Sequence, residues 1–393
     1  MTRLAGKLGV AMFDFFEFFA GGGMVRAGLG SAKWRCRFAN DFDHKKSAVY
    51  RRNWGDGILK TADVRALTTK DMPGGVDLAW ASFPCQDLSL AGGGAGLKGD
   101  RSGSFWPFWS LMKDLIAEGR PPRIIALENV CGTLTSHEGK DFAAICSTFE
   151  RVGYVFGALV IDAAHFVPQS RPRLFMIGVR SDVGIPTALT QSAASPLWHT
   201  RALRTALDNA PAKARENWVW WSPPEPARRN TNFADLVEDN PSDVRWHTPA
   251  ETRRLLGMMS DVNRAKLDAA KAAKRRLVVG AIYKRTRLDE AGRKVQRAEI
   301  RFDDVAGCLR TPAGGSSRQT IILIEGKKVR SRLLSPREAA RLMGLPEEYM
   351  LPNKYNEAYH LAGDGVAAPV VSFLATHIFE PILASALAGQ KAA

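Results

Sequence analysis

The chain has 393 residues, of which 45% are apolar and 24% charged, a balance that excludes a disordered polymer and supplies material for a sizeable core. Lys and Arg number 55 against 40 Asp and Glu, a formal net charge of +15 that favours a polyanionic partner. At about 100–200 residues per domain, the length fits two domains or one large domain carrying an insertion.

Taken in chain order, the first predicted strand covers 11–19 and runs into a glycine cluster, and a second covers 37–43 and ends in acidic residues. A helix over 47–52, a strand over 76–83, a helix over 105–118, a strand over 124–127 and a helix over 142–152 follow. Two further strands, 154–161 and 173–179, are joined by a loop over 162–170. Strands separated by helices of this length predict βαβ units and a mainly parallel sheet with helices on both faces.

After about residue 182 the texture changes, with Pro, Trp and Ala frequent, as in Trp218-Val-Trp-Trp-Ser-Pro-Pro-Glu-Pro226. A helical stretch over 248–273 leads into a hairpin predicted from 277–287 and 295–302, with its turn at Asp289-Glu-Ala-Gly292. Between residues 251 and 301, fifteen Lys and Arg face six Asp and Glu, so +9 of the net +15 sits in this segment. Concentrated charge of this kind predicts a nucleic-acid surface over a merely solvated face. The last sixty residues return to helical, Ala-rich texture at 336–343 and 366–387. The architecture predicted is an α/β catalytic domain interrupted by a basic insertion.

Cys36, Cys85, Cys131, Cys146 and Cys308 form no CxxC pair and no metal-ligand spacing, so reduced thiols, a cytoplasmic setting and no metal are expected. The apolar run 10–20 follows Arg3 and Lys7 as a signal peptide would, but Asp14 and Glu17 interrupt it. No stretch approaches about 18 uninterrupted apolar residues, and no membrane span is expected.

Several strand ends carry residues suited to chemistry. Phe18-Phe-Ala-Gly-Gly-Gly-Met-Val-Arg-Ala-Gly28 places glycines where a tight turn meets a nucleotide-like ligand. Asp41 can accept hydrogen bonds from ribose hydroxyls, Phe42 can stack on a base, and Asp63 suits an adenine amino group. Together the three suggest an adenosine-type cofactor; singly, each reads equally as a cap or turn residue. Cys85, in Phe83-Pro-Cys-Gln86, sits at a strand's C-terminal end before the glycines 92–94, 96, 99 and 103. It reads as a nucleophile or as a small buried side chain. Glu128, in Leu127-Glu-Asn-Val130, offers a carboxylate or a helix cap. Arg171 and Arg173 open another strand and alternate onto one face, as ligand-binding groups or salt-bridge partners.

In this order, Phe19-x-Gly21, Phe83-Pro-Cys-Gln86, Glu128-Asn-Val130, Gln169-x-Arg-x-Arg173, the block Arg332–Pro346 and Gly363-Asp-Gly-Val366 resemble the cytosine-C5 DNA methyltransferases of bacterial type. The resemblance covers nearly the whole chain outside 181–301. It implies a Rossmann-like S-adenosylmethionine-dependent domain, α/β with a mostly parallel sheet, and a smaller inserted target-recognition domain. The expected bounds are 1–185 and 362–393 for the catalytic domain, 186–334 for target recognition and 335–361 for a hinge. It implies methyl transfer from S-adenosylmethionine to C5 of a flipped-out cytosine in a specific duplex sequence. Cys85 would add to C6, Glu128 would hold the ring nitrogen and amino group, Arg173 would anchor the carbonyl, and Arg171 would support the site. Cofactor binding would fall to Phe19, Gly21, Gly23, Asp41, Phe42, Asp63, Val64, Pro84, Asp364 and Val366. DNA contacts would fall to Gln86, Ser89, Arg310, Thr311, Gly314 and Gly315.

Three positions depart from the family's pattern: Asp41 where Glu is usual, Glu17 where Asp is usual, and Asp364 where Asn is usual. The partner implied is double-stranded DNA, with a monomer as the working form and no membrane; a separately acting restriction endonuclease and an orphan enzyme both stay open. A tRNA cytosine methyltransferase is the alternative within the enzyme class, and a silent DNA-binding relative the alternative outside it. The large basic insertion favours duplex DNA, and the intact Cys85, Glu128, Arg171 and Arg173 favour an enzyme.

Overall fold

The computed structural model describes residues 12–84, 97, 102–273, 278–289, 291–311, 318–326 and 328–392. The chain divides into two compact units, one made of Met1–Ile161, Arg173–Glu225 and Val371–Ala393, the other of Asp162–Pro172 and Pro226–Val370.

The first unit is built on β1 (Phe13–Phe18), β2 (Trp34–Asp41), β3 (Leu59–Thr61), β4 (Leu78–Ala81), β5 (Ile124–Val130), β6 (Tyr154–Asp162) and β7 (Pro172–Arg180). They lie in the order β3-β2-β1-β4-β5-β7-β6, parallel from β3 to β5, with β7 antiparallel to β5. The sequence Phe-Asp-Phe-Phe-Glu-Phe of β1 is buried at five of its six positions, as a strand covered on both faces must be. The order reverses between β1 and β4, so their carboxyl ends open the crevice where ligands bind in open α/β sheets.

Helices α1 (Met24–Leu29), α2 (His44–Trp54), α3 (Phe105–Ala117) and α4 (Lys140–Arg151) cover the sheet. The apolar face of α3 buries Phe105, Phe108, Trp109, Leu111, Met112 and Leu115. Beyond β7 come the two-residue ladder of β8 (Thr190–Gln191) and β9 (Trp220–Trp221), with α5 (Arg201–Asp208) and α6 (Ala212–Glu216) between them.

In the second unit α7 (Pro249–Gly257) and α8 (Asp261–Ala272) precede an antiparallel sheet. Its strands are β10 (Val278–Leu288), β11 (Lys294–Arg301), β12 (Thr320–Glu325) and β13 (Lys328–Leu333), in the order β11-β10-β12-β13. The helix predicted over 248–273 is therefore two helices. Thr248 caps the first through a capping box with Glu251, and the chain breaks after Gly257. Leu255, Met259, Leu267 and Ala270 pack onto Ile282, Ala298, Ile300, Ile322 and Ile324.

Next come α9 (Pro336–Leu342) and α10 (Tyr355–Asp364). Arg332, at the end of β13, is fully buried and meets the Glu338 carboxylate of α9 through both guanidinium nitrogens at 2.6 and 2.8 Å. Then α11 (Ala368–Leu374) returns the chain to the first unit, where a π turn (Ala375–Phe379) and α12 (Glu380–Ala392) complete it. The run Tyr355–Gly389 is long and apolar enough to cross a membrane, yet Val371, Leu374, Ile378, Phe379, Ile382 and Leu383 of it lie buried in the protein.

Candidate active site

From the end of β1 the chain turns through Phe19, Gly21 and Gly23, all at positive φ (56°, 56° and 81°), before entering α1. Glycine takes this conformation without strain, whereas Phe19 takes it at a cost that its packing against Phe108 helps to offset. A Cβ on Gly23 would lie 2.3 Å from Trp54 Nε1, and that indole N–H donates to the Gly22 carbonyl at 3.0 Å. Helix α2 thus props the turn from one side. A Cβ on Gly21 would meet nothing within 4 Å, so the turn has open space there.

Asp41 closes β2. Its Oδ2 accepts the Gly21 N–H and its Oδ1 the Asp43 N–H, each at 2.8 Å, which ties the glycine turn to the neighbouring strand end. Burial raises its pKa, while Lys46 and the two N–H groups pull it back. Each oxygen keeps a second lone pair, so the shorter carboxylate can brace the turn and still accept from a ribose diol. Phe42 follows with 63% of its surface exposed, an aromatic face beside the turn. Asp63 caps the short turn Val64–Ala66, and Arg65, held at 2.7 Å, keeps its carboxyl below the ordinary range. Val64 is buried beneath it. The open side of the turn, the Asp41 acceptors and the exposed ring suit an adenosine-type cofactor.

Behind the turn, Glu17 is fully buried, with the Val25 and Arg26 backbone N–H groups and the Arg26 guanidinium acting on its carboxyl. Burial pushes its pKa up to about 8, against the pull of the Arg26 guanidinium.

The second group of residues gathers where β4 and β5 end. Glu128 lies near the end of β5, and Val130 is paired across to Arg173 of β7, so Glu128 and Arg173 are diagonal neighbours on one face. Arg173 Nε is 3.2 Å from Glu128 Oε1, with only 15% and 8% of the two side chains exposed. Asn129 points the other way: its amide donates to the Phe83 carbonyl at 3.1 Å and its Oδ1 accepts from the Val130 N–H and the Thr133 hydroxyl. That bond fastens the segment Phe83-Pro84, two residues before Cys85, to the strand carrying Glu128. Leu97 is fixed too, its N–H donating to Asp141 and its carbonyl accepting from Trp106 Nε1 at 3.2 Å. Sequence reasoning gave no role to Asn129 or Asp141. The only local signal was the Asn in Glu-Asn-Val. Cys85, Gln86, Ser89, Gly314 and Gly315 lie outside the described residues.

The two arginines expected on one face part company. Arg173 meets Glu128, whereas Arg171 precedes β7 and is 2% exposed in the second unit. There it donates to the carbonyls of Leu309 (3.1 Å), Gly363 (2.8 Å) and Gly365 (2.6 Å). Gly363 sits so close that a Cβ would lie 3.1 Å from the Arg310 and Thr311 backbone. The Thr311 hydroxyl donates to Asp364 at the end of α10, Val366 is buried just beyond, and Arg310 is exposed.

Residues 13–380 match the family model described as C-5 cytosine-specific DNA methylase. The chain belongs to that family. It is 24% identical over 365 residues to the Type II methyltransferase M.HhaI of Haemophilus parahaemolyticus, covering 93% of each chain. It is 30% identical over 252 residues to the Type II methyltransferase M.NgoFVII of Neisseria gonorrhoeae, covering 60% of this chain and 65% of that one. Among solved structures, the methyltransferase EhMeth of Entamoeba histolytica superposes with a TM-score of 0.63 at 13% identity, over 94% of this chain and 99% of that one. As a C-5 cytosine methylase the chain takes its methyl group from S-adenosylmethionine and acts on DNA.

Proposed function

We propose the following roles for the residues of this methylase. The Cys85 thiolate adds to C6 of a cytosine turned out of the duplex, moving electron density onto C5, which is otherwise a weak nucleophile. Glu128 holds N3 and the exocyclic amino group and favours protonation at N3 as the thiolate attacks. Arg173 anchors the carbonyl oxygen and keeps the thiolate ionised, while Arg171 acts through the backbone it clamps. S-adenosylmethionine, when bound, supplies the methyl group that C5 accepts. Loss of the C5 proton then expels Cys85 and restores the aromatic ring. Phe19, Gly21, Gly23, Asp41, Phe42, Asp63, Val64, Pro84, Asp364 and Val366 hold the cofactor, and Gln86, Ser89, Arg310, Thr311, Gly314 and Gly315 contact DNA.

The observation that carries this reading is the buried Glu128–Arg173 pair, whose carboxylate stands on the strand that Asn129 bolts to Phe83-Pro84. A carboxylate and a guanidinium side by side match the donor and acceptor edge of cytosine. We place the catalytic domain in 1–185 and 362–393, target recognition in 186–334 and the hinge in 335–361. The working form is a cytoplasmic monomer, acting either beside a separate restriction endonuclease or as an orphan enzyme.

Expression in a host lacking cytosine methylation, followed by mass spectrometry of the hydrolysed DNA, tests the assignment. 5-Methylcytosine is expected with the wild type and absent with Cys85→Ala, whose DNA binding is retained. Methylation by the variant at the wild-type rate would refute the role of Cys85.

A further inference from the structure

We propose that the outer half of the β10–β11 hairpin is an arm that grips the phosphate backbone of duplex DNA through Arg285, Arg287 and Arg297. The proposal rests on the DNA reading above and adds a surface to it. Strand β10 spans eleven residues, but β12 pairs only with Val278–Ile282. From Tyr283 outward β10 has β11 alone for company, so the two strands continue past the sheet as a ribbon.

Side chains alternate across the ribbon. Ile282 and its partner Ile300 face the helices α7 and α8. Tyr283, Arg285 and Arg287, opposite Glu299, Arg297 and Val295, share the other face. At the base of that face the Tyr283 hydroxyl bonds the Gln319 side chain and lies 3.2 Å from the Cys308 carbonyl, joining the ribbon to the segment that leads to Arg310 and Thr311.

The charge on this face is unbalanced. Arg285 and Arg297 are register partners, and like charges directly opposite in an antiparallel pair destabilise it. One carboxylate, Glu299, serves both other arginines: it holds Arg285 Nε at 3.1 Å and Arg287 Nη2 at 2.5 Å. Arg297 makes no ion pair among the described residues. Glu299 is the carboxylate within ion-pair distance of these three guanidinium groups, with Asp289 acting on Arg297 from farther off, so a net positive charge remains on a half-exposed surface. A row of phosphates is the partner that relieves this repulsion. Because the contacts are to phosphate, the arm contributes affinity and salt dependence, and sequence is read elsewhere.

The test compares wild type, Arg297→Ala, the triple variant Arg285→Ala/Arg287→Ala/Arg297→Ala, and Glu299→Gln. Affinity for a 30-base-pair duplex is measured between low and physiological salt, and the methylated sequence is read by bisulfite sequencing. Each phosphate contact adds about 0.9 to the slope of log affinity against log salt. Arg297→Ala should therefore lower the slope by about 0.9 and the triple variant by about 2.7, with the methylated sequence unchanged. Glu299→Gln should bind more tightly at low salt, a gain that a misfolded protein would not show. Unchanged slopes, a changed methylated sequence, or weaker binding by folded Glu299→Gln would overturn the arm. A wild type that neither binds nor methylates DNA would overturn the underlying reading instead.

Discussion

Glu17 is fully buried, and that burial outweighs the Arg26 guanidinium and the two backbone N–H groups beside it, pushing its pKa up to about 8. In the unfolded chain the same group titrates near 4.5. Between these values the folded state holds a proton that the unfolded state has released, so its contribution to stability is complete below about pH 4.5 and is lost as the pH rises toward 8. Glu17→Gln mimics the protonated form at every pH. Denaturant unfolding at pH 5.5 and 7.5 should therefore show a smaller loss of stability in Glu17→Gln than in wild type. Identical losses would mean that Glu17 is ionised in the folded protein. Asp41 is buried as well, but two backbone N–H groups favour its charged form, and it braces the glycine turn as a carboxylate. Two acids on adjoining strands thus do different work: burial dominates at Glu17, which is 0% exposed, whereas Asp41 is tied into the turn by the Gly21 and Asp43 N–H groups.

At the scale of elements, the end of α10 against the Arg310–Thr311 backbone is held by three features. Gly363 permits the close approach, Arg171 gathers the carbonyls of Leu309, Gly363 and Gly365, and Thr311 donates to Asp364. Asparagine at 364 keeps an acceptor oxygen for the Thr311 hydroxyl. Asp364→Asn is therefore expected to keep its fold and to bind S-adenosylmethionine as tightly as wild type or more tightly, by calorimetric titration. A collapse in affinity would show that the negative charge itself is needed.

Six strands of the first sheet were legible as short apolar runs, whereas β3 was not, since three residues, Leu-Lys-Thr, offer no pattern to read. The hairpin at 277–302 was legible from its turn and alternation. The break after Gly257 was not, since Met258 and Met259 continue the apolar pattern while the chain leaves the helix. The divergence of Arg171 and Arg173 was hidden because strand alternation holds only inside a strand, and β7 begins at Pro172. The bonds from Asn129 to Phe83 and from Asp141 to Leu97 join residues 46 and 44 positions apart, a spacing that carries no local signal.

For the molecule as a whole, a mostly parallel sheet with its crevice at β1 and β4 carries the groups proposed to hold cofactor and base, and a basic antiparallel sheet lies in the second unit. The central claim is that these parts serve a covalent attack by Cys85 on cytosine. Its most direct test is a duplex containing the target sequence with 5-fluorocytosine at the target base, incubated with enzyme and S-adenosylmethionine. Fluorine on C5 cannot leave as a proton does, so the ring cannot expel the thiol after methyl transfer. The account predicts a denaturation-resistant protein–DNA adduct whose peptide mass places the link and one added methyl group on the Cys85 peptide. Methylated DNA in the control duplex, with no trapped adduct on the fluorinated one, would contradict it.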